Sequence, residues 1–320
     1  MKNRVTIFVA VKNKNEIIEK CIDSLLQIDW PDKEILVVDN MSTDGSYEKL
    51  LKFKGKITLH RIKGGVSEVF NWALAKSEDE YFVCTDADCI VDPKWVKELI
   101  APFALDPQIV ATAGFCGTPK NVNFLQKLIG LELENRYNHF REYIERAPTM
   151  NLCLKTEVAK KVGFDAKFTY QSFEVDFCYR MSKYGKIKYV PSAKVWHFHR
   201  SNLFSYIKQQ KDQAKWGWKL FLKHGKRSMA DQITTFSMSS QIFLLGAGII
   251  TMLLANWIKY FGVISIFLLL LLLIIYIKDL IEIRPQVIYL PAFMALFLIR
   301  TLCWELGIME GVFSFLRKTI

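Results

Sequence analysis

The chain has no C-x-x-C pair. Its seven cysteines (Cys21, Cys84, Cys89, Cys116, Cys153, Cys178 and Cys303) are scattered and odd in number. That excludes a disulfide framework and a structural zinc site, and it fits a reducing compartment. Neither G-x-G-x-x-G nor the P-loop lysine motif occurs, so the two common glycine-rich phosphate cradles are excluded. The basic glycine turn Lys63-Gly64-Gly65 is all that remains of that kind, a turn first and a plausible phosphate neighbour second. The opening segment MKNRVTIFVAVKNKNE carries an apolar run of only seven residues before Lys12, too short for a secretory signal. It reads as a first strand, and residues 1–230 are expected in the cytoplasm.

Charge is missing from three long stretches. Gln232–Ile258 and Tyr260–Ile277 contain no charged residue, and a third uncharged run covers Pro285–Ile299. The first two are long enough to cross a bilayer core. The third crosses only if Arg300 or Glu305 lies near an interface or faces another helix. About three spans are expected, near 236–258, 260–277 and 286–305, within a membrane region over 231–320. The formal charge of +11 suits either nucleic acid or an anionic leaflet. With spans present the leaflet is the better partner, and no nucleic acid is expected. Lys223, Lys226 and Arg227, just before the first span, favour a cytoplasmic catalytic domain on a multi-pass cell-membrane protein.

The first two hundred residues alternate strand and helix. VTIFVAV (5–11), EILVVDN (34–40), ITLHRI (57–62) and YFVCTDAD (81–88) are rich in strand formers. Between them, 15–27 and 67–75 read as helices, and Ser42, Thr43 or Asp44 is the candidate N-cap of another. Near-continuous apolar strands in such an alternation predict an α/β fold, a mostly parallel sheet sandwiched by helices. Ligands in such sheets lie beyond the carboxyl ends of the strands. Asp39 and Asp86 fall at those ends, and Asp88 follows two residues on. A buried strand gains nothing from carboxylates at its tip unless something offsets their desolvation. A divalent cation on a diphosphate is one offset, and a solvated turn is the plainer alternative.

Several segments in order resemble glycosyltransferase family 2, whose members are inverting and have the Rossmann-like GT-A fold. They are VAVKN-x-x-E, EILVVDNMSTDGS, TDAD (a D-x-D motif), VGFDAKF (162–168), SFEVDFCYRMSKYGKIKYVP and AKVWH, over about residues 4–230. The resemblance implies a GT-A catalytic domain over 1–200, a nucleotide-diphosphate sugar donor and a divalent metal, Mg²⁺ or Mn²⁺. It implies nucleotide-sugar contacts at Val11, Asn13, Glu16, Asp39, Gly65, Asp86 and Ala87. Asp88 becomes a metal ligand, with His197 or His199 as a further contact. Glu174 stands where the family keeps its catalytic aspartate, and Asp176 is the understudy; an i,i+4 pair with Arg180 is the structural alternative for Asp176. Q-x-x-R-W, the mark of processive synthases, is absent, which favours single transfers.

The expected function is transfer of one sugar to a hydroxyl of a lipid-linked, polyprenyl-type glycan at the cytoplasmic face. A polyprenyl-phosphate sugar synthase is the alternative, and a non-catalytic nucleotide-binding scaffold is the second. Residues 201–230 read as an amphipathic helix at the lipid surface, edged by Lys208, Lys211, Lys215, Lys219 and Lys223.

Overall fold

The structure, a computed structural model, describes residues 4–319. It divides into two compact units. One runs to Val122 and resumes over Tyr137–His199; the other takes Asn123–Arg136 and the chain from Arg200 onward. Residues 123–136, expected inside the catalytic domain, thus belong to the second unit.

The first unit is built on one mixed sheet. Its strands are β1 (Val5–Val11), β2 (Lys33–Asp39), β3 (Thr58–Arg61), β4 (Tyr81–Asp86), β5 (Cys89–Val91), β6 (Ile109–Gly117), β7 (Tyr143–Ile144), β8 (Leu152–Lys155) and β9 (Lys186–His197). The helices between them are α1 (Ile18–Leu26), α2 (Ser46–Leu51), α3 (Val66–Lys76), α4 (Trp95–Ile100), α5 (Phe124–Asn138, shared with the second unit), α6 (Thr156–Val162) and α7 (Phe173–Met181). The strand order is 3-2-1-4-8-6-9-5, with β7 on β9. The β3-β2-β1-β4 half is parallel, as the strand–helix alternation predicts. The other half is not, because β8 returns antiparallel to both β4 and β6. The sheet is therefore mixed, with β6 and β9 again parallel to each other.

Strands β1 and β4 are buried along nearly their whole length, so parallel pairing covers both faces with helices. Register does the rest. Val11 pairs with Asp39 on one side of β1, and Ala10 pairs with Asp86 on the other. Two acids distant in sequence therefore flank the tip of one strand. The helix after β2 starts later than Ser42, Thr43 or Asp44 would have it. Gly45, at φ +90°, holds the N-cap position, and the Asp44 carboxylate accepts from Ser46 N at 3.0 Å and Asn15 N at 3.0 Å. Those bonds close a loop instead of capping the helix.

Opposite the acids, β6 and β9 shift register between Gly114 and Phe115. Asn151 locks this bulge. Its Nδ2 donates to Phe115 O and Ala193 O, each at 2.9 Å, and its Oδ1 accepts from Trp95 Nε1 at 2.8 Å. A Cβ on Gly114 would lie 2.0 Å from Ala193 O and 2.4 Å from Asn151 Nδ2. Backbone must move to admit it. Gly114→Ala is expected to cost about 2–4 kcal/mol, read as a lower denaturant midpoint. A variant as stable as wild type would show that the bulge is not locked.

The second unit holds α8 (Leu203–His224), α9 (Phe236–Leu254), α10 (Tyr260–Ile283) and α11 (Leu290–Thr319). Among the described residues, three stretches are long and apolar enough to cross a membrane: Phe236–Leu254, Tyr260–Ile283 and Val287–Arg317. The second and third run further than charge spacing alone suggests, because their helices continue through Lys278 and Glu305. Arg300, buried in α11, faces other helices. Its guanidinium pairs with Glu132 of α5 and donates to Gln241 Oε1 at 3.0 Å. A cation inside an apolar helical run needs such partners.

Helix α8 is not simply a lipid-surface helix. Lys211 and Lys215 reach Glu310 of α11 at 2.7 and 3.7 Å, and Trp304 Nε1 donates to Gln210 at 3.1 Å. Gly307 and Gly311 let the backbones approach: a Cβ on Gly307 would lie 2.3 Å from Lys211 O. This small-x-x-x-small face gives part of the lysine stripe a helix, not a leaflet, to rest on.

Candidate active site

The tip of β4 delivers Asp86, the turn that follows delivers Asp88, and the end of β9 delivers His197. Pairing of Cys89 with His197 in the β5·β9 ladder fixes that meeting. One ligand atom from each of Asp86, Asp88 and His197 lies within 4.8 Å of the other two. His197 Nε2 is 3.3 Å from Asp88 Oδ1, and the Lys14 ammonium pairs with Asp88 Oδ2. Asp86 Oδ1 accepts from Thr149 Oγ1 at 3.2 Å.

The two aspartates are pushed apart in acidity. Burial, then the adjacent Asp88 charge, raises Asp86, against the opposing pull of His197 and Lys14. Burial also works against ionised Asp88, but His197 and Lys14 together outweigh it and hold this carboxyl well below the usual range. Asp88 is thus a carboxylate at any physiological pH, in a place that favours positive charge.

His199 lies behind His197 rather than beside the aspartates. Its Nδ1 is 3.1 Å from His197 Nδ1, and its Nε2 is 3.2 Å from Thr118 Oγ1. Burial, then the neighbouring His197, pushes its pKa down to about 3 against the pull of Asp88.

Glu174 sits in the first turn of α7, which Ser172 opens with a left-handed φ of +61°. Its Oε2 is buried without a hydrogen-bond partner. Burial raises this carboxyl above its usual range; Arg146 opposes the shift and Asp86 adds to it. Asp176, two residues on, has a different place. It is fully buried, with Arg180 Nε and Nη2 at 2.9 and 2.8 Å from its Oδ2, while Arg180 Nη1 donates to Val162 O. The i,i+4 pair is what the structure contains, and it pins α7 to the end of α6. Asp176→Asn is expected to cost about 3 kcal/mol of stability by stranding Arg180, with turnover per folded molecule unchanged. A kcat loss without a stability loss would return Asp176 to the chemistry.

The remaining expected contacts ring β1. Val11 is buried at the strand tip. Asn13, at φ +53°, donates its N–H to Ser42 Oγ at 3.0 Å and accepts from Thr43 N at 2.9 Å. Asp39 is fully buried, bound by Ser42 N at 3.1 Å and by Arg61 Nε at 3.1 Å. Arg61 in turn lies 4.4 Å from the Tyr47 ring centre. Gly65 is the N-cap of α3, its N–H donating to Glu68 Oε2 at 2.7 Å, and the turn is tied to Asn40, whose Nδ2 donates to Gly64 O at 2.9 Å. Ala87 is buried between the two acids. Glu16 is exposed in the turn before α1. Sequence does not single out Lys14, Thr118 or Arg61, and it marks Thr149 only as a residue standing where the resembled family often has glycine. Of the first three, only Lys14 carried a signal, as the second lysine of a K-N-K turn after the first strand.

Comparison with known proteins agrees with this construction. Residues 6–159 match the family model of glycosyl transferase family 2. Over 230 residues the chain is 23% identical to the poly-beta-1,6-N-acetyl-D-glucosamine synthase of Staphylococcus epidermidis, covering 68% of this chain and 56% of that protein. It is 24% identical over 231 residues to the synthase of the same description from Staphylococcus aureus strain COL, with the same coverage. The chain spans about half the length of these curated relatives. Among solved structures, the mannosyltransferase of Pyrobaculum calidifontis, in complex with GDP-Man and Mn²⁺, superposes with a TM-score of 0.64 over 97% of this chain and 87% of that one, at 15% identity. That likeness shows a shared fold. By sequence match, sheet and acid-tipped strands together, residues 6–159 are similar to glycosyl transferase family 2 on a GT-A fold, and among the described residues three apolar helices long enough to cross a membrane follow.

Proposed function

We propose that the chain is a membrane-bound inverting glycosyltransferase that moves one sugar from a nucleoside-diphosphate sugar to a hydroxyl of a lipid-linked, polyprenyl-type glycan at the cytoplasmic face. The observation that carries the reading is the Asp86–Asp88–His197 constellation at the carboxyl edge of the sheet. Two carboxylates and an imidazole are a donor set that Mn²⁺ or Mg²⁺ accepts, and the Lys14 ammonium on Asp88 marks the spot as one that takes positive charge. The residues present therefore fit a divalent ion, with Asp88 and His197 to hold it and Asp86 beside them. Bound there, such an ion would neutralise the charge that gathers on the departing diphosphate.

The rest of the mechanism falls to the chain's own groups. Asp39, held by Arg61, anchors the nucleoside side of the cleft. Glu174, with one buried and unpartnered oxygen, takes the proton of the attacking hydroxyl. A phosphate acceptor arrives already ionised and needs no base. A base-competent carboxyl at 174 thus favours a hydroxyl acceptor over polyprenyl phosphate. The absence of Q-x-x-R-W favours single transfer, although the relatives named above are polymer synthases. A silent scaffold has no use for the costly carboxylates Asp39, Asp86, Asp88 and Glu174.

A melting panel of nucleoside diphosphates with and without Mn²⁺ tests the core of this reading. A nucleotide at a hundred times its Kd stabilises the native state by about 2.7 kcal/mol. The expected result is a metal-dependent rise with one nucleobase. No response to any nucleotide under any metal would remove the proposal. Labelled donor, offered polyprenyl-diphosphate glycan and polyprenyl phosphate in parallel, then decides the acceptor.

A further inference from the structure

His199 and Thr118 form a hydrogen-bonded chain behind His197, and a cation at His197 would give that chain a direction. His197 turns Nε2 toward Asp88 at 3.3 Å. Its other nitrogen, Nδ1, lies 3.1 Å from His199 Nδ1. Two ring nitrogens at that distance need one proton between them, since two lone pairs or two N–H groups repel. If His197 Nε2 is to offer a lone pair to a cation, its proton must sit on Nδ1. His199 Nδ1 must then be the acceptor, which puts the His199 proton on Nε2, where Thr118 Oγ1 waits at 3.2 Å. An imidazolium at 197 would impose the same direction, because Nδ1 carries a proton in that state too. Metal-binding histidines commonly have the second nitrogen held by a carboxylate, a carbonyl or water. Here the partner is a second imidazole, 7% exposed, on the same extended segment.

We propose that His199, braced by Thr118, is a positioning residue that fixes the tautomer and ring orientation of His197 and so tunes cation affinity at the Asp86–Asp88–His197 cluster. The proposal rests on the reading of that cluster as a cation site. It also separates the two histidines that sequence could not tell apart: one faces the acids, and the other sets how the first one faces them.

The test measures Mn²⁺ binding, not turnover. Free Mn²⁺ is followed by electron paramagnetic resonance during titration of the full chain, in the presence of UDP and, separately, GDP. His199→Leu removes the acceptor and is expected to weaken Mn²⁺ by about 10- to 100-fold. His199→Asn keeps a carbonyl oxygen in the place of Nδ1, and most of the affinity should return. Thr118→Val removes only the far end and should weaken Mn²⁺ about threefold, the smaller effect of a more distant bond. Melting curves without ligand separate these outcomes from misfolding. Wild-type affinity in His199→Leu, alongside lost affinity in His197→Ala, would overturn the relay and leave the cation reading standing. An Asn variant as weak as the Leu variant, with normal melting, would also overturn it. Wild-type protein that takes up no Mn²⁺ with either nucleotide would overturn both.

Discussion

Asp88→Asn is expected to abolish the metal-dependent part of any nucleotide-induced stabilisation and to lower transfer by about 10²–10³-fold. The change keeps the side chain's shape and removes its charge. Asp88 is the acid that His197 and Lys14 hold in its ionised form, so it is the one carboxylate of the cluster certain to be available to a cation at neutral pH. An amide cannot neutralise a divalent ion, and losing one well-placed electrostatic contact in a water-excluded site costs about 2.7–4 kcal/mol in the transition state. A second effect must be separated from this. Removing one partner of a buried ion pair strands the other, so ligand-free Asp88→Asn should itself melt lower. Lys14 has 25% of its side chain exposed and can turn toward solvent, which limits that loss. The deciding quantity is therefore the difference between melts with and without Mn²⁺ at saturating nucleotide. A full Mn²⁺-dependent difference in the variant would show that Asp88 is not a ligand.

How much of this site was legible beforehand divides along physical lines. Strands β1, β2 and β4 were readable because burial on both faces forces continuous apolar runs, and parallel register then carries Asp39 and Asp86 to one edge without further information. Asp88 was readable as a candidate because a carboxylate desolvated after such a strand needs something to offset its cost, a solvated turn being the plainer alternative. The partners were harder. Lys14 and Thr149 meet the acids across 74 and 63 residues of chain, and neither lysine in a turn nor threonine in a loop announces a destination. The choice between His197 and His199 depended on which ring faces the sheet edge, and spacing by two leaves both on one side of a strand. The β5·β9 register turns Nε2 of the first toward Asp88 and sets the second behind it. The division of the chain was hidden for another reason. Residues 123–136 look like any helix of a soluble domain until Glu132 is seen paired with Arg300. An arginine inside an apolar run signals that a partner exists, but not which helix supplies it.

Glu174→Gln is expected to lower kcat by about 10²–10⁴-fold, the usual worth of a positioned general base, with nucleotide affinity unchanged. Stability should move the other way. Burial raises the Glu174 carboxyl above its ordinary value, so the native state binds its proton more tightly than the unfolded chain does. The stability this brings is complete below the unfolded pKa and is lost as pH rises through the native one. At neutral pH the ionised side chain is thus a burden on the fold, with an oxygen that no donor satisfies. Glutamine carries no charge to desolvate, so the variant should melt no lower than wild type at pH 7–8. An isosteric change that costs turnover without costing stability separates a working group from a packing group. The pH profile gives the same answer independently. The carboxylate is the competent form, so wild-type kcat should fall on the acid side with a midpoint above that of an ordinary glutamate, and the residual activity of the variant should lack that limb. Full activity in Glu174→Gln would leave the attacking group with no need of a base. An acceptor already ionised, polyprenyl phosphate rather than a sugar hydroxyl, would then be the better reading of the same cleft.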